Sequence, residues 1–216
     1  MTKLRIALAM GAAVLTFAGQ AAAEDFQPKE AGLWMLNLRV SGVLTDAEDA
    51  ITTAAGASTS LETKVGDDVM PTLGLTYFLT DHVAIEAIAG TTQHEVKAVG
   101  PGTDVSVHET WVLPPVVTLQ YHFAPEEKVS PYLGAGVNYM IFYSGEDQNG
   151  FRVDVDDGFG WALQAGVDVA VKERWSANLD VKKVFFETDA SINGGMLKSK
   201  VKLDPWVLSA GLGYRF

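Results

Sequence analysis

The chain has no cysteine, so disulfides and thiolate metal sites are both excluded, and an exported protein of this sequence rests on packing and strand pairing alone. It is short of base. Lys and Arg number 16 against 27 Asp and Glu, a net charge of −11, which argues against nucleic-acid binding, where clustered Lys and Arg are needed. Beyond the N-terminus it also lacks any apolar run of transmembrane-helix length, although 48% of its residues are hydrophobic. Histidine is scarce. His82, His94, His108 and His122 lie in no nucleophile motif and beside no carboxylates at ligand spacing, and Asp154, Asp156 and Asp157 read as an exposed acidic strand end. No catalytic role, cofactor or metal is expected.

What is present begins with a basic start at Lys3 and Arg5, a short apolar stretch over residues 6–18, and Ala21, Ala22 and Ala23. That layout is a secretory signal peptide, too short in its apolar part for a membrane span of roughly 20 residues. Residues 1–23 are therefore expected to be a cleavable signal peptide and residues 24–216 the mature domain.

From Leu33 to Phe216 the hydrophobic pattern has period two, so the protein is all-β. At the C-terminus Trp206, Leu208, Ala210, Leu212, Tyr214 and Phe216 share one face, and Val207, Ser209, Gly211, Gly213 and Arg215 the other. Leu73, Leu75 and Tyr77 oppose Thr72, Gly74 and Thr76 in the same way, and Trp161, Leu163 and Ala165 oppose Gln164 and Gly166. Eight such segments are present. In a soluble barrel the bulky face points inward; in a membrane barrel it meets lipid, and a narrow lumen takes the small and polar residues. An eight-stranded interior is only just wide enough for side chains, which suits the glycines. The expected fold is an eight-stranded antiparallel up-and-down transmembrane β-barrel with both termini periplasmic. Short turns at Thr80-Asp81, 124–130 and 172–173 alternate with longer stretches at 44–64, 97–107, 144–156 and 188–200, expected as extracellular loops.

The inward positions divide by height. Arg39, Glu86, Asp168, Asp180 and Arg215 are expected to pair as a charged floor, because an isolated buried ion carries a large desolvation cost. Above them Val43, Met70, Ile88, Val112, Pro114, Val116, Met140, Phe142, Phe186 and Leu203 are expected to line a pocket for an apolar ligand. The other possibility is that these side chains pack together and leave no space. Pro114 and Pro115 cannot donate ladder hydrogen bonds, so they mark either a lateral opening or a bulge that adjusts curvature. Lys198, Lys200 and Lys202 share the outward parity of Trp206 and are expected to meet lipopolysaccharide phosphates above the lipid band.

Several stretches resemble the OmpW family of outer-membrane proteins, which includes AlkL-type hydrocarbon channels. They are Glu30-Ala31-Gly32, Leu113-Pro114-Pro115 through Gln120-Tyr121-His122-Phe123, and Pro131-Tyr132-Leu133-Gly134 through Tyr139. Gln164-Ala165-Gly166-Val167-Asp168, Trp175 with Asn178, and Leu203-Asp204-Pro205-Trp206 through Phe216 match as well. The resemblance implies residence in the outer membrane of a Gram-negative bacterium and passage of small hydrophobic solutes. It also implies that the terminal Phe216 is read by the barrel-assembly machinery. At the height of the family's hydrophobic constriction it places Ile88 and, in place of an aromatic, Lys182. The competing function is a structural or host-interacting surface barrel with a filled lumen, working through stretches 44–64 and 144–156.

Overall fold

The computed structural model describes residues 26–45 and 47–216; the expected signal peptide lies outside them. Alternation of β-branched and aromatic residues with small polar ones yields strands only. These are β1 (Trp34–Leu44), β2 (Glu48–Thr53), β3 (Ser58–Val65), β4 (Asp68–Phe78), β5 (Val83–Gly90), β6 (Thr92–Gly100), β7 (Thr103–Leu113), β8 (Val116–His122), β9 (Val129–Asp147), β10 (Val153–Val155), β11 (Gly158–Lys172), β12 (Trp175–Phe185), β13 (Glu187–Ile192), β14 (Leu197–Lys202) and β15 (Trp206–Arg215).

They occupy eight places around one antiparallel barrel. The lower ring runs β9–β11–β12–β15–β1–β4–β5–β8 and returns to β9, so the ladder closes without an edge. Closure leaves no strand of the ring with a free edge, the condition for a sheet that crosses lipid. The upper ladder, β10–β13–β14–β2–β3–β6–β7–β9, continues it, and the 19-residue β9 spans both. At the lower rim Trp34 and Phe216 exchange backbone hydrogen bonds at 3.3 and 2.9 Å.

The inside is polar and the outside apolar. Asn37, Arg39, Glu86, Gln120, Asp168 and Asn178 are buried, whereas Leu38 is 63% exposed and Trp161 71%. Outward aromatics gather at two heights, Trp34, Tyr77, Tyr121, Phe123 and Trp175 near the lower rim and Tyr143, Phe159, Trp161 and Trp206 higher up. Such a band far exceeds the apolar patches of soluble monomers and has the girdled form of a lipid-facing surface.

The stretches expected as long extracellular loops are mostly ladder. Residues 44–64 hold β2 and most of β3 in register, Asp49 opposite Thr63, and residues 97–107 hold the β6–β7 hairpin, Ala98 opposite Val105. Residues 188–200 form most of the β13–β14 hairpin. True connections shrink to short tips. Inward Ile51, Val65, Ala98 and Ile192 keep the alternation, but the outward residues are now Glu62, Lys64, Glu95 and Lys200. Polar outward residues look like loop to a hydropathy reading, yet the backbone pairs all the same. The upper ladder thus lacks the apolar outward face of the lower ring.

In this upper part β9 and β10 share no ladder and are joined through Asp147. Its carboxylate accepts the Val153 N–H at 3.0 Å and shares a hydrogen bond with the His108 ring at 3.1 Å. The Val153 N–H, helped by His108, holds the Asp147 carboxyl below the usual carboxylate range. A lowered folded pKa means that the link contributes fully above the unfolded pKa and is lost as pH falls through the folded value. The Val153 amide resonance is expected to stay constant down to about pH 4 and to shift only below it. A shift centred near neutrality would show that another group holds β10.

Candidate functional site

The site is the lumen, built upward from the rim where Trp34 and Phe216 meet. Lys29, in the segment before β1, reaches inside and donates to Asp168 at 2.7 Å and Ser130 at 2.9 Å, and its ammonium lies 2.9 Å from His122 Nδ1. Asn178 Nδ2 donates to the second Asp168 oxygen at 2.8 Å. One layer up, Arg39 donates to Glu86 at 2.7 Å and to Asn178 Oδ1 at 2.6 Å. The Glu86 carboxylate also accepts from Gln120 and Gln164, each at 2.8 Å. Asp180 accepts from Gln164 at 2.6 Å and Tyr132 at 2.7 Å, and pairs with Lys182. Carboxylates so desolvated persist only when donors occupy their lone pairs.

Inward glycines make room for this network. A Cβ at Gly74 would stand 2.9 Å from Arg39 Nη1, and one at Gly134 2.9 Å from Gln164 Oε1. The five expected floor residues lie in the lower lumen, and Arg39 pairs with Glu86 as expected, but the other pairings differ. Arg215 donates to the Gln27 carbonyl, and Lys29 is the cation on Asp168. Lys29 lies outside every strand, so alternation had no means of placing it. Lys182, expected at a constriction, bends down onto Asp180 and comes within 3.9 Å of Glu86. Its signal in the sequence was its inward parity beside Asp180.

Above the floor Ser41 joins Thr72 and Ser209 through hydroxyl hydrogen bonds of 2.7 Å each. The wall then turns apolar. Val43, Met70, Ile88, Val112, Pro114, Val116, Met140, Phe142 and Leu203 line one cavity of about 100 Å³. Phe186, expected with them, is buried in a cluster with Val112, Val116, Met140, Ala162 and Val184 and does not line the cavity. Higher still, Thr63, Thr92, His94, Thr110 and Thr188 form a polar belt, and Ile51, Ala98, Val107, Val153 and Ile192 cluster near the strand tips. The apolar cap lies wholly in stretches that read as loops, as do Thr63 and Thr188 of the belt, whereas Thr92, His94 and Thr110 stand in β6 and β7 just outside those stretches.

Pro114 and Pro115 separate β7 from β8. Toward β9 the register continues from Leu113–Ile141 to Val116–Asn138, and the Tyr139 N–H donates to the Pro115 carbonyl at 3.1 Å. Toward β5 and β6 the flanking pairs are Ile88–Val116 and Thr92–Val112. Ala89, Gly90 and Thr91 thus face Leu113, Pro114 and Pro115 without ladder pairing. Both strands have the same number of residues between the flanking pairs, so the interruption is a gap and not a bulge.

The sequence profile described as the OmpW family matches residues 30–216. The chain is similar to the outer-membrane protein y4mB of Sinorhizobium fredii, 42% identical over 99% of this chain and 96% of that one. It is also similar to the dibenzothiophene metabolism operon protein PahQ of Pseudomonas aeruginosa, 28% identical over 85% of this chain and 88% of that one. Among solved structures, the outer membrane protein OprG from Pseudomonas aeruginosa superposes with a TM-score of 0.83 at 28% identity, covering 89% of this chain and 99% of that chain. A closed eight-stranded antiparallel ring, an apolar girdled exterior and a family match over residues 30–216 have one meaning: this chain is an outer-membrane β-barrel and belongs to the OmpW family.

Proposed function

We propose that the barrel takes up small apolar solutes from the extracellular side and releases them sideways into the membrane through the gap beside Pro114 and Pro115. The observation that carries this reading is the layering of the lumen, an apolar cavity directly above a floor whose carboxylates are held by surrounding donors. An apolar solute gains by leaving water for that cavity but gains nothing by entering the floor. The unpaired stretch between Ala89–Thr91 and Leu113–Pro115 lies at cavity height and offers another way out. Dibenzothiophene, in the name of PahQ's operon, is an apolar aromatic of the kind such a cavity suits. No catalytic role is assigned. Lipopolysaccharide phosphates are proposed partners for outward Lys198, Lys200 and Lys202, of which Lys200 and Lys202 also pair with Glu187.

Replacing Ile88 with Asp places an unpaired carboxylate in the cavity, at a cost of several kcal/mol, and leaves the lipid face untouched. Uptake of a small alkane by cells carrying the Ile88→Asp barrel is expected to fall at least about tenfold, while the barrel still folds. If uptake survives Ile88→Asp but is abolished by the floor substitution Asp180→Asn, the route runs straight through the floor. The surface-barrel reading, favoured by the apolar cap at the strand tips, predicts no uptake above that of barrel-free membranes.

A further inference from the structure

Resting on that reading, we propose that the preferred solute is an anionic amphiphile, a medium-chain carboxylate whose head seats on Arg39 and Lys182 while its tail occupies the apolar cavity. The argument is a balance of donors and acceptors at the cavity base. Arg39 and Lys182 line the cavity; Glu86 and Asp180, their partners, do not. Glu86 accepts from Arg39, Gln120 and Gln164, and Asp180 from Lys182, Gln164 and Tyr132, so the acceptors are consumed from below and from the side.

The cations are not consumed in the same way. Arg39 is buried, and its Nη1 has no hydrogen-bond partner among the described residues. Lys182 has three N–H donors, one of them on Asp180, and Glu86 at 3.9 Å is beyond hydrogen-bond length. The base of the cavity therefore presents the spare donors of Lys182, with the Arg39 charge behind them and its Nη1 enclosed beside Gly74, and no spare charged acceptor. Ser41, Thr72 and Ser209, directly above, add hydroxyls at the height where an apolar chain would join a polar head. A hydrocarbon leaves those donors unsatisfied and an ammonium is repelled, whereas a carboxylate supplies acceptor lone pairs and opposite charge. Charge-assisted hydrogen bonds of this type are about twice as strong as neutral ones.

The test compares three probes of equal chain length, octanoate, octanol and octylammonium, titrated at about pH 8, where the carboxylate is ionised and the amine protonated. The barrel is held in lipid nanodiscs, and the Ser41 and Ser209 amide resonances report occupancy of the lumen apart from partition into lipid. Octanoate is expected to bind about tenfold more tightly than octanol, with octylammonium weakest. That preference is expected to disappear in Lys182→Met and in the charge-balanced Asp180→Asn/Lys182→Met, the second variant guarding against misfolding around an unpaired Asp180. Octanol binding as tightly as octanoate, or an octanoate preference that survives in both variants, would overturn the proposal and leave apolar uptake standing. If none of the three probes moves the lumen amides, the proposal and the uptake reading both fail.

Discussion

Replacing Gly211 with Val is expected to abolish the folded, heat-modifiable barrel. Gly211 sits on β15 opposite Arg39 of β1, with its inward side against the neighbouring strand. A Cβ there would land on the Leu38 carbonyl oxygen and 2.6 Å from the Arg39 Cα, both backbone atoms. Overpacking costs about 1–3 kcal/mol where side chains can move aside, and here only a displaced strand would make room. Gly136 is in the same position on β9, 2.7 Å by its added Cβ from the Thr118 Cα of β8. Ala210→Leu, one residue away and facing lipid, is expected to fold. The measurement is the fraction of protein refolded into lipid vesicles that migrates faster on a gel before heating. A Gly211→Val barrel that refolds like Ala210→Leu would show that β1 and β15 have slack at this contact.

Replacing Lys29 with Met is expected to cost about 3–5 kcal/mol, the range for stranding one partner of a buried ion pair. Asp168 would keep Asn178 as a donor but lose its charge partner. The same change removes the contact through which the segment before β1 is anchored to Ser130 inside the barrel. Because the damage is an uncompensated charge, Lys29→Met/Asp168→Asn should recover most of the loss, a coupling that a double-mutant cycle in urea isolates. A Lys29→Met cost below about 1 kcal/mol would mean that Asp168 does not depend on that pair.

Much of the floor's composition was legible because strand alternation assigns each residue a parity, and Arg39, Glu86, Asp168, Asp180 and Arg215 all lie in the lower lumen. Its pairing was not. Arg39 and Glu86 are 47 positions apart and Lys29 and Asp168 are 139 apart, so the match depends on how strands are staggered around the ring. Lys29 belongs to no strand and therefore has no parity to read. Phe186 has inward parity but falls between β12 and β13, where it is buried among Val112, Val116, Met140 and Val184 and does not line the cavity. The upper ladder is illegible for another reason: its outward residues are Glu62, Lys64, Glu95 and Lys200, so the bulky apolar face that marks the lower strands is missing and hydropathy no longer separates a strand from a loop.

The sequence by itself determined that there are two faces, one bulky and apolar and one small and polar, repeated in eight places along the chain. Alternation and the choice of glycine at positions such as Gly136 and Gly211 are properties of the residues and need no partner. Which face looks inward was decided only when the sheet closed on itself. Once a ring of eight strands closes, its convex side meets hydrocarbon, so Leu38, Leu163 and Leu212 turn to it, and the polar residues then inside must find one another across the lumen. Closure likewise turned the proline pair from a feature of one strand into an unpaired stretch between two, because a missing donor has consequences only where a neighbouring strand would have used it.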